Sequence, residues 1–174
     1  MPVTRLNHAV LYVRDVARTR TFYEEVLGFR EVMAMGSRAS FLQASGSSND
    51  HDLGLFQVGE AAGPSAAGRS TVGLYHLAWE VDTLAELQRV AERLVDRNAL
   101  VGASDHGTTK ALYARDPDGI ELEVSWLIPA DLLTDADVEA RTTILPLDLG
   151  AEIDRFGADT PGGIGVSLPA PAVG

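Results

Sequence analysis

The chain has 174 residues, which is enough for one compact domain with a real core but too few for two ordinary domains. Its formal net charge of -11 argues against nucleic acid or an anionic membrane as a partner, because such binding depends on clustered Lys and Arg. There is no cysteine, no basic-then-apolar leader, and no apolar run near the ~20 residues that a membrane span requires. We therefore expect a cytoplasmic protein that binds a small molecule.

The first part of the chain predicts a strand, a helix and three more strands. From residue 5 the chain alternates, with His8, Val10 and Tyr12 on one face of a strand. Asp15 is placed to cap a helix that ends at Gly28. Three strand-like runs then follow at 29–35, 40–44 and 51–58.

The same plan begins again after a loop rich in Gly, Ala and Ser. A strand is predicted at 74–81, and Thr83 with Glu86 forms a capping box for a helix with one apolar stripe, made by Leu84, Leu87, Val90, Ala91 and Leu94. Further strands are predicted at 99–104, 109–115 and 120–127. The pattern favours an α+β fold in which two βαβββ modules, at about 1–60 and 73–128, form one domain over 1–128. If each helix covers one sheet face, the opposite faces can curve into a half-open cup suited to a ligand.

The two modules place a histidine at equivalent points. His8 in "RLNHAVLYVRD" aligns with His76 in "GLYHLAWEVD". In "DPDGIELEVSW" the alternation directs Ile120, Leu122, Val124 and Trp126 to the helix side, so Glu121, Glu123 and Ser125 point the opposite way. Two histidines and one carboxylate with open coordination positions are the facial triad of non-haem iron sites. Taken singly, each is more often a hydrogen-bonded structural histidine or a solvated glutamate.

These residues resemble a known family. The segments "LNHAVLYVRDVARTRTFYEEVLGF", "YHLAWEVD" and "DPDGIELEV" are similar to the vicinal oxygen chelate superfamily over roughly the first 128 residues. The tract "DHGTTKALYARDPDGIELEV" narrows the resemblance to the extradiol catechol dioxygenases of the short single-domain type. In that group a Tyr precedes the carboxylate ligand by ten positions, as Tyr113 precedes Glu123, with a His somewhat upstream, as His106 is.

The resemblance implies a role for each of these side chains. His8, His76 and Glu123 would bind Fe(II), with Mn(II) as an alternative, and leave positions for a catechol and O2. His51 would accept a proton and later return it, since imidazole titrates near neutral pH. Tyr113 would hydrogen-bond the substrate oxygen, and His106 would orient the catecholate. The implied reaction opens the ring beside the diol.

Alternatives remain for several of these residues. His51 follows the polar run "SSND" and could be an exposed loop residue, while His106 could belong to a simple turn. Tyr113 could be an ordinary core tyrosine. Glu121 shares a face with Glu123; we prefer Glu123 because it matches the family carboxylate four residues after the Gly of "DPDG".

Two other functions compete with the dioxygenase. A glyoxalase-like lyase or isomerase using Ni, Zn or Mn would usually take a further carboxylate from the fourth strand of the first module, where "HDLGLFQV" offers none that points inward. A non-enzymatic drug-binding protein of the same fold would lack the triad.

Residues 129–174 lie outside the resemblance. "ADLLTDADVEAR" predicts a short acidic helix, and "TPGGIGVSLPAPAVG" is a Gly/Pro-rich tail that could cover the cup or pack at a subunit interface. A homodimer or higher homo-oligomer is expected, because small proteins with open sheets tend to cover their edges with a second copy.

Overall fold

A computed structural model describes residues 2–3, 5–68 and 70–163. It has mixed sheets and four helices, as the sequence predicts for an α+β fold. In chain order the elements are β1 (Ala9–Val13), α1 (Val16–Leu27), β2 (Arg30–Ala34), β3 (Ala39–Gln43), β4 (Leu53–Gln57), β5 (Leu77–Glu80), α2 (Leu84–Asp96), β6 (Leu100–Asp105), β7 (Thr109–Arg115), β8 (Glu121–Leu127), α3 (Asp135–Glu139), β9 (Leu145–Pro146) and α4 (Leu149–Phe156). None of the helices in these described ranges is long and apolar enough to cross a membrane.

The chain divides into two compact units. Unit 1 comprises Met1–Gly73 with Asp116–Ile120, and unit 2 comprises Leu74–Arg115 with Glu121–Gly174. The sheet of unit 1 has the strand order β1-β4-β3-β2, and that of unit 2 has the order β5-β8-β7-β6-β9. In both sheets the first strand of the module runs parallel to the last, and the other pairs within each module are antiparallel. The duplicated βαβββ plan is therefore confirmed.

The caps of the two long helices follow the sequence signals. The Asp15 side chain accepts a hydrogen bond from the Arg18 N–H, and Gly28 ends α1 in the left-handed conformation with φ 72°. Thr83 caps α2 by accepting from the Glu86 N–H. The expected capping box is only partly used, because the Glu86 carboxylate binds Arg89 and Arg93.

Each helix buries its apolar side against its own module. In α2 the buried positions are Leu84, Leu87, Val90 and Leu94, four of the five residues of the predicted stripe, and Ala91 is half-buried. In β1 the face with Leu11 and Val13 is buried, whereas Val10 and Tyr12 are exposed. The period-two prediction for β1 is thus confirmed, and His8 stands one residue before the strand rather than in its middle.

The segment after β8 is more structured than its composition suggests. The predicted acidic helix is α3, capped by Thr134 in a complete capping box with Asp137. Strand β9 and helix α4 were not expected; β9 extends the sheet of unit 2 at β6, and α4 packs against α2. Residues 164–174 of the Gly/Pro-rich tail lie outside the described residues. The role of the tail as a cover of the cup or as a subunit interface stays a prediction.

Candidate metal and acid–base site

Three predicted site residues meet in unit 2. His76 directly precedes β5, and because β5 pairs with β8, its Nε2 lies 3.2 Å from Glu123 Oε2. Tyr113 on β7 is the direct neighbour of Glu123 across the β7–β8 ladder and hydrogen-bonds its carboxylate. Burial, together with the negative charge of Glu123 and this hydrogen bond, raises the pKa of Tyr113 to about 12. Tyr113 therefore acts here as a neutral hydrogen-bond donor.

His106 extends this group by one more hydrogen bond. Its Nε2 lies 2.8 Å from the Tyr113 hydroxyl oxygen. An ionised carboxylate can only accept, so the single Tyr113 proton goes to Glu123, and the Tyr113 oxygen is left to accept from His106 Nε2–H. The unit 2 network, defined as His106, Tyr113, Glu123 and His76, is thus a directed chain of hydrogen bonds that ends at the predicted metal ligands.

Unit 1 brings the other two histidines together. The rings of His8 and His51 are 4.5 Å apart between centroids, and the Phe41 ring lies 5.2 Å from that of His51. His51 is largely buried, with 16% of its side chain exposed. It is thus not the exposed loop residue that the alternative reading expected.

Hydrogen-bond partners orient both of these imidazoles. His8 Nδ1 lies 2.7 Å from the Asn7 amide oxygen, and His51 Nδ1 lies 3.1 Å from Asp50 Oδ2. Both partners are acceptors, so each Nδ1 carries a proton, and in the neutral imidazole the lone pair lies on Nε2. Hydrogen bonds from the backbone and ring N–H groups of His51 lower the pKa of Asp50. The lone pair on Nε2 is what a metal ligand or a proton acceptor requires.

The two modules can be compared position by position through their strand registers. In unit 1, Val10 pairs with Gly54. At the equivalent position of unit 2, Ala78 pairs with Glu123. Gly54 is paired in turn with Phe41, as Glu123 is paired with Tyr113. The first module therefore has glycine where the second has its carboxylate, and phenylalanine where the second has its tyrosine.

The structure also separates the two candidate carboxylates on β8. Glu121 forms an ion pair with Arg115 at 2.8 Å, and its side chain is 30% exposed. Glu123 is more buried and contacts His76 and Tyr113. This difference favours Glu123 as the ligand.

The donor set of unit 2 suits a divalent metal. His76 and Glu123 present an imidazole nitrogen and a carboxylate oxygen to each other, a pairing that iron and manganese accept. His76 Nδ1 is buried and has no hydrogen-bond partner among the described residues, so the protein alone does not satisfy this ring. Over 2–3, 5–68 and 70–163, no three His, Asp or Glu side chains are already gathered as a complete metal-binding group. His76 and Glu123 therefore fit a metal ion as two of its ligands, and further ligands would have to complete its coordination.

Comparison with known proteins assigns the family. The model of the Glyoxalase/Bleomycin resistance protein/Dioxygenase superfamily matches residues 5–124. The chain belongs to this superfamily. It is 33% identical over 124 residues to a catechol-2,3-dioxygenase of Bacillus subtilis (strain 168), an alignment that covers 70% of this chain and 41% of that protein.

Two further matches are a second dioxygenase and a solved structure of the same fold. A biphenyl-2,3-diol 1,2-dioxygenase of Rhodococcus globerulus is 33% identical, with 71% of this chain and 65% of that protein covered. The crystal structure of a lactoylglutathione lyase from Agrobacterium tumefaciens matches with a TM-score of 0.53 at 22% identity, covering 72% of this chain and 95% of that one. This structural match supports the fold. The chain spans less than half the length of the Bacillus relative and about two thirds of the Rhodococcus one.

Sequence reasoning missed a buried cation beside the network. Lys110 on β7 is 1% exposed, and its Nζ lies 2.7 Å from Asp105 and 3.1 Å from Glu152 of α4. A lysine in a strand ordinarily faces solvent, so its burial was not expected. The available signal was its position on the same face of β7 as Leu112 and Ala114, which are both buried and apolar.

Proposed function

We propose that this protein is an Fe(II)-dependent extradiol dioxygenase that opens the ring of a catechol-type aromatic diol with O2. The unit 2 network carries the proposal, because it combines a His–Glu ligand pair with a tyrosine that bonds the carboxylate and a histidine that bonds the tyrosine. Two dioxygenases among the relatives, both 33% identical, support the same activity.

His76 and Glu123 would hold the metal, and His8 would be its third ligand. His8 stands in the position of the first module that His76 occupies in the second, and its Nδ1 is bound by Asn7, which leaves Nε2 as the ligand atom of the neutral ring. Iron, when bound, would supply an anchor for the two ortho oxygens of the diol and a path for electrons from the diol to dioxygen. Manganese accepts the same ligands, so we propose iron first and manganese second.

Tyr113 and His106 would orient the substrate. The phenolic proton of Tyr113 is held at neutral pH, because the pKa of Tyr113 is raised to about 12. A neutral hydroxyl can donate to an anionic catecholate oxygen, and it would turn from Glu123 toward that oxygen once the carboxylate binds metal. His106 would then support Tyr113 through the 2.8 Å hydrogen bond.

His51 would move the proton that the diol loses. Its Nδ1–H is bound by Asp50, which leaves Nε2 as the acceptor. The ring contacts of His51 with Phe41 and His8 shield it from water, and a shielded imidazole returns its proton to the substrate rather than to solvent.

A glyoxalase-like lyase is the second candidate, since the superfamily of the chain includes glyoxalases. Such enzymes usually take a further carboxylate from the fourth strand of the first module. The position on β4 equivalent to Glu123 is Gly54, whose neighbours Leu53 and Leu55 are fully buried. The absence of an acid at this described position favours the dioxygenase.

Oxygen uptake tests the proposal. Protein reconstituted anaerobically with Fe(II) is mixed with a panel of catechols while O2 and the yellow ring-opened product are followed. We expect one O2 consumed per diol, and loss of both signals in His76→Ala. No uptake with any catechol, in protein that binds one metal ion per chain, would overturn the dioxygenase and favour the lyase. A chain that binds no metal would favour a non-enzymatic binding protein.

A further inference from the structure

The segment that follows the superfamily match packs around the turn that carries His106. The match ends at residue 124, and the C-terminal extension, defined here as residues 129–163, follows it. Strand β9 of the extension pairs with the end of β6, where Leu145 is the partner of Asp105. His106 is the residue after Asp105, so β9 pairs with β6 one position before the histidine.

The turn itself is closed by hydrogen bonds that leave little freedom. Gly107 N–H donates to Asp105 Oδ1 at 2.8 Å, and the His106 N–H donates to the Thr109 carbonyl at 2.9 Å. Gly107 and Thr108 are both buried. The backbone on both sides of His106 is thus hydrogen-bonded, and we call residues 105–108 the His106 turn.

Gly107 is where the extension covers the turn most closely. Its φ is +73°, and a Cβ added there would lie 2.4 Å from the Asp137 carbonyl oxygen and 2.9 Å from the Ala140 carbon. Both contacts belong to the extension. A glycine is therefore required for conformation and for the fit of the extension against the turn.

Three ion pairs, made by two cations, stabilise the extension and its contact with the turn. Lys110, buried to 1% exposure, joins Asp105 of the turn to Glu152 of α4. Arg155, one turn further along α4, makes a double hydrogen bond to Asp137 at 2.8 and 2.9 Å. A buried cation is costly unless both carboxylates are present, so these pairs favour one arrangement of turn and extension over others.

We infer that the C-terminal extension is a positioning element for His106, and that Glu152 and Gly107 set the orientation of its imidazole against Tyr113. Glu152 acts through its ion pair with Lys110, which also binds Asp105 of the turn. Gly107 acts because it has no Cβ to clash with the extension. The inference concerns the same unit 2 network as the proposed dioxygenase, but its test does not depend on that activity.

The first test uses the imidazole signals of the metal-free full-length chain in nuclear magnetic resonance spectra, assigned with a His106→Gln variant. Glu152→Gln removes one charge and keeps the side-chain shape. We expect it to move or broaden the His106 signals and leave those of His8 and His51 in place. The matched control is Asp154→Asn, an exposed acid on the same helix, which should leave all four histidines unchanged.

Amide hydrogen exchange provides the second measurement. The Gly107 amide should exchange about tenfold faster in Glu152→Gln, an effect of the size of one lost hydrogen bond. Amides of β8 should keep the exchange rates of the parent protein. Equal acceleration throughout unit 2 would mean that Glu152 only stabilises the fold, and the inference would then be wrong.

Gly107→Ala tests the steric half of the inference and serves as the second variant if Glu152→Gln does not fold. We expect it to shift the His106 signals and also those of residues 137–140. A folded Gly107→Ala protein, or a folded Glu152→Gln protein, with parental His106 signals would overturn the inference. If these spectral changes occur but no variant or parent consumes O2 with catechols, the proposed function fails while the positioning role stands.

Discussion

The two modules share one topology, yet their equivalent positions have opposite chemistry. Where the second module has Glu123 and Tyr113, the first has Gly54 and Phe41. Each keeps a histidine before its first strand. The comparison teaches that the duplicated scaffold fixes where a side chain is presented, whereas the chemistry of the site depends on substitutions that one module has and the other lacks.

The largest effect on metal binding is expected from removing the Glu123 carboxylate of the second module. Glu123→Ala should weaken Fe(II) binding by more than about 100-fold, because even residues around a ligand contribute up to that factor. Gly54→Ala changes the equivalent position of the first module, where an added Cβ would make only ordinary contacts of 3.4 Å or more. It should alter metal affinity by less than about twofold. Calorimetric titration with Fe(II) under anaerobic conditions measures both, and equal affinities in the two variants would contradict the assignment of Glu123.

The turn before the last strand of the second module contains a buried acid. Asp116, in the β7–β8 turn, is 5% exposed, and burial raises its pKa to about 6. Because the folded pKa is above the unfolded one near ~3.9, the free energy of unfolding should fall by about 3 kcal/mol as pH rises from ~4 to above ~6. Asp116→Asn keeps an oxygen that can accept from the Asp118 and Ile120 N–H groups, and it removes this loss.

Urea unfolding of parent and Asp116→Asn at pH 4 and pH 7 measures this effect. The variant should gain stability relative to the parent only at the higher pH. The control is Asp131→Asn, which removes one charge from an exposed position and leaves the buried Asp116 in place. A pH-independent difference between Asp116→Asn and the parent would show that burial of Asp116 has no such cost.

Only the second module has the extension, so breaking the Asp137–Arg155 pair should affect that module alone. Burial by itself would raise the pKa of Asp137, but hydrogen bonds from Arg155 and Thr134 outweigh it and hold the pKa at about 2. This contribution is complete above ~4 and is lost as pH falls toward ~2, so Asp137→Asn should cost about 2 kcal/mol at pH 7 and less at pH 3. Thermal unfolding at the two pH values checks the sign, and a cost that grows on acidification would contradict it.

The smallest effect comes from making the second module resemble the first. Tyr113→Phe gives the second module the same residue type that the first module has at the equivalent position, Phe41. The substitution removes the hydrogen bond between Tyr113 and His106. We expect kcat for the proposed ring opening to fall about tenfold while iron content is retained. Unchanged turnover in Tyr113→Phe would remove the tyrosine from the reaction.

The elements of the fold could be predicted because periodicity and caps are local signals. Strand β7 has the predicted bounds, and Asp15, Gly28 and Thr83 act at the helix ends as expected. The equivalence of Gly54 and Glu123 could not be predicted from sequence. The turn before β4 is longer than the turn before β8, so only the hydrogen-bonded registers align the two strands.

The extension was predicted least well, for a different physical reason. Helix α4 is short, and its order comes from tertiary contacts such as the Lys110–Glu152 ion pair. Such a contact joins residues far apart in sequence. The candidate ligands His8, His76 and Glu123 were identified from the duplication and the family resemblance, whereas the support around His106 emerged only from the structure.

The parallel pairing of the first and last strands in each module also sets an order of folding. The antiparallel strands β6, β7 and β8 are joined by short turns and can form early, but β5 must wait for β8 before it has a partner. His76 directly precedes β5 and Glu123 lies on β8, so the two side chains meet only when the chain between these two strands has closed. The His76–Glu123 contact is thus expected to be among the last features of the module to assemble, after its remaining sheet is already in place.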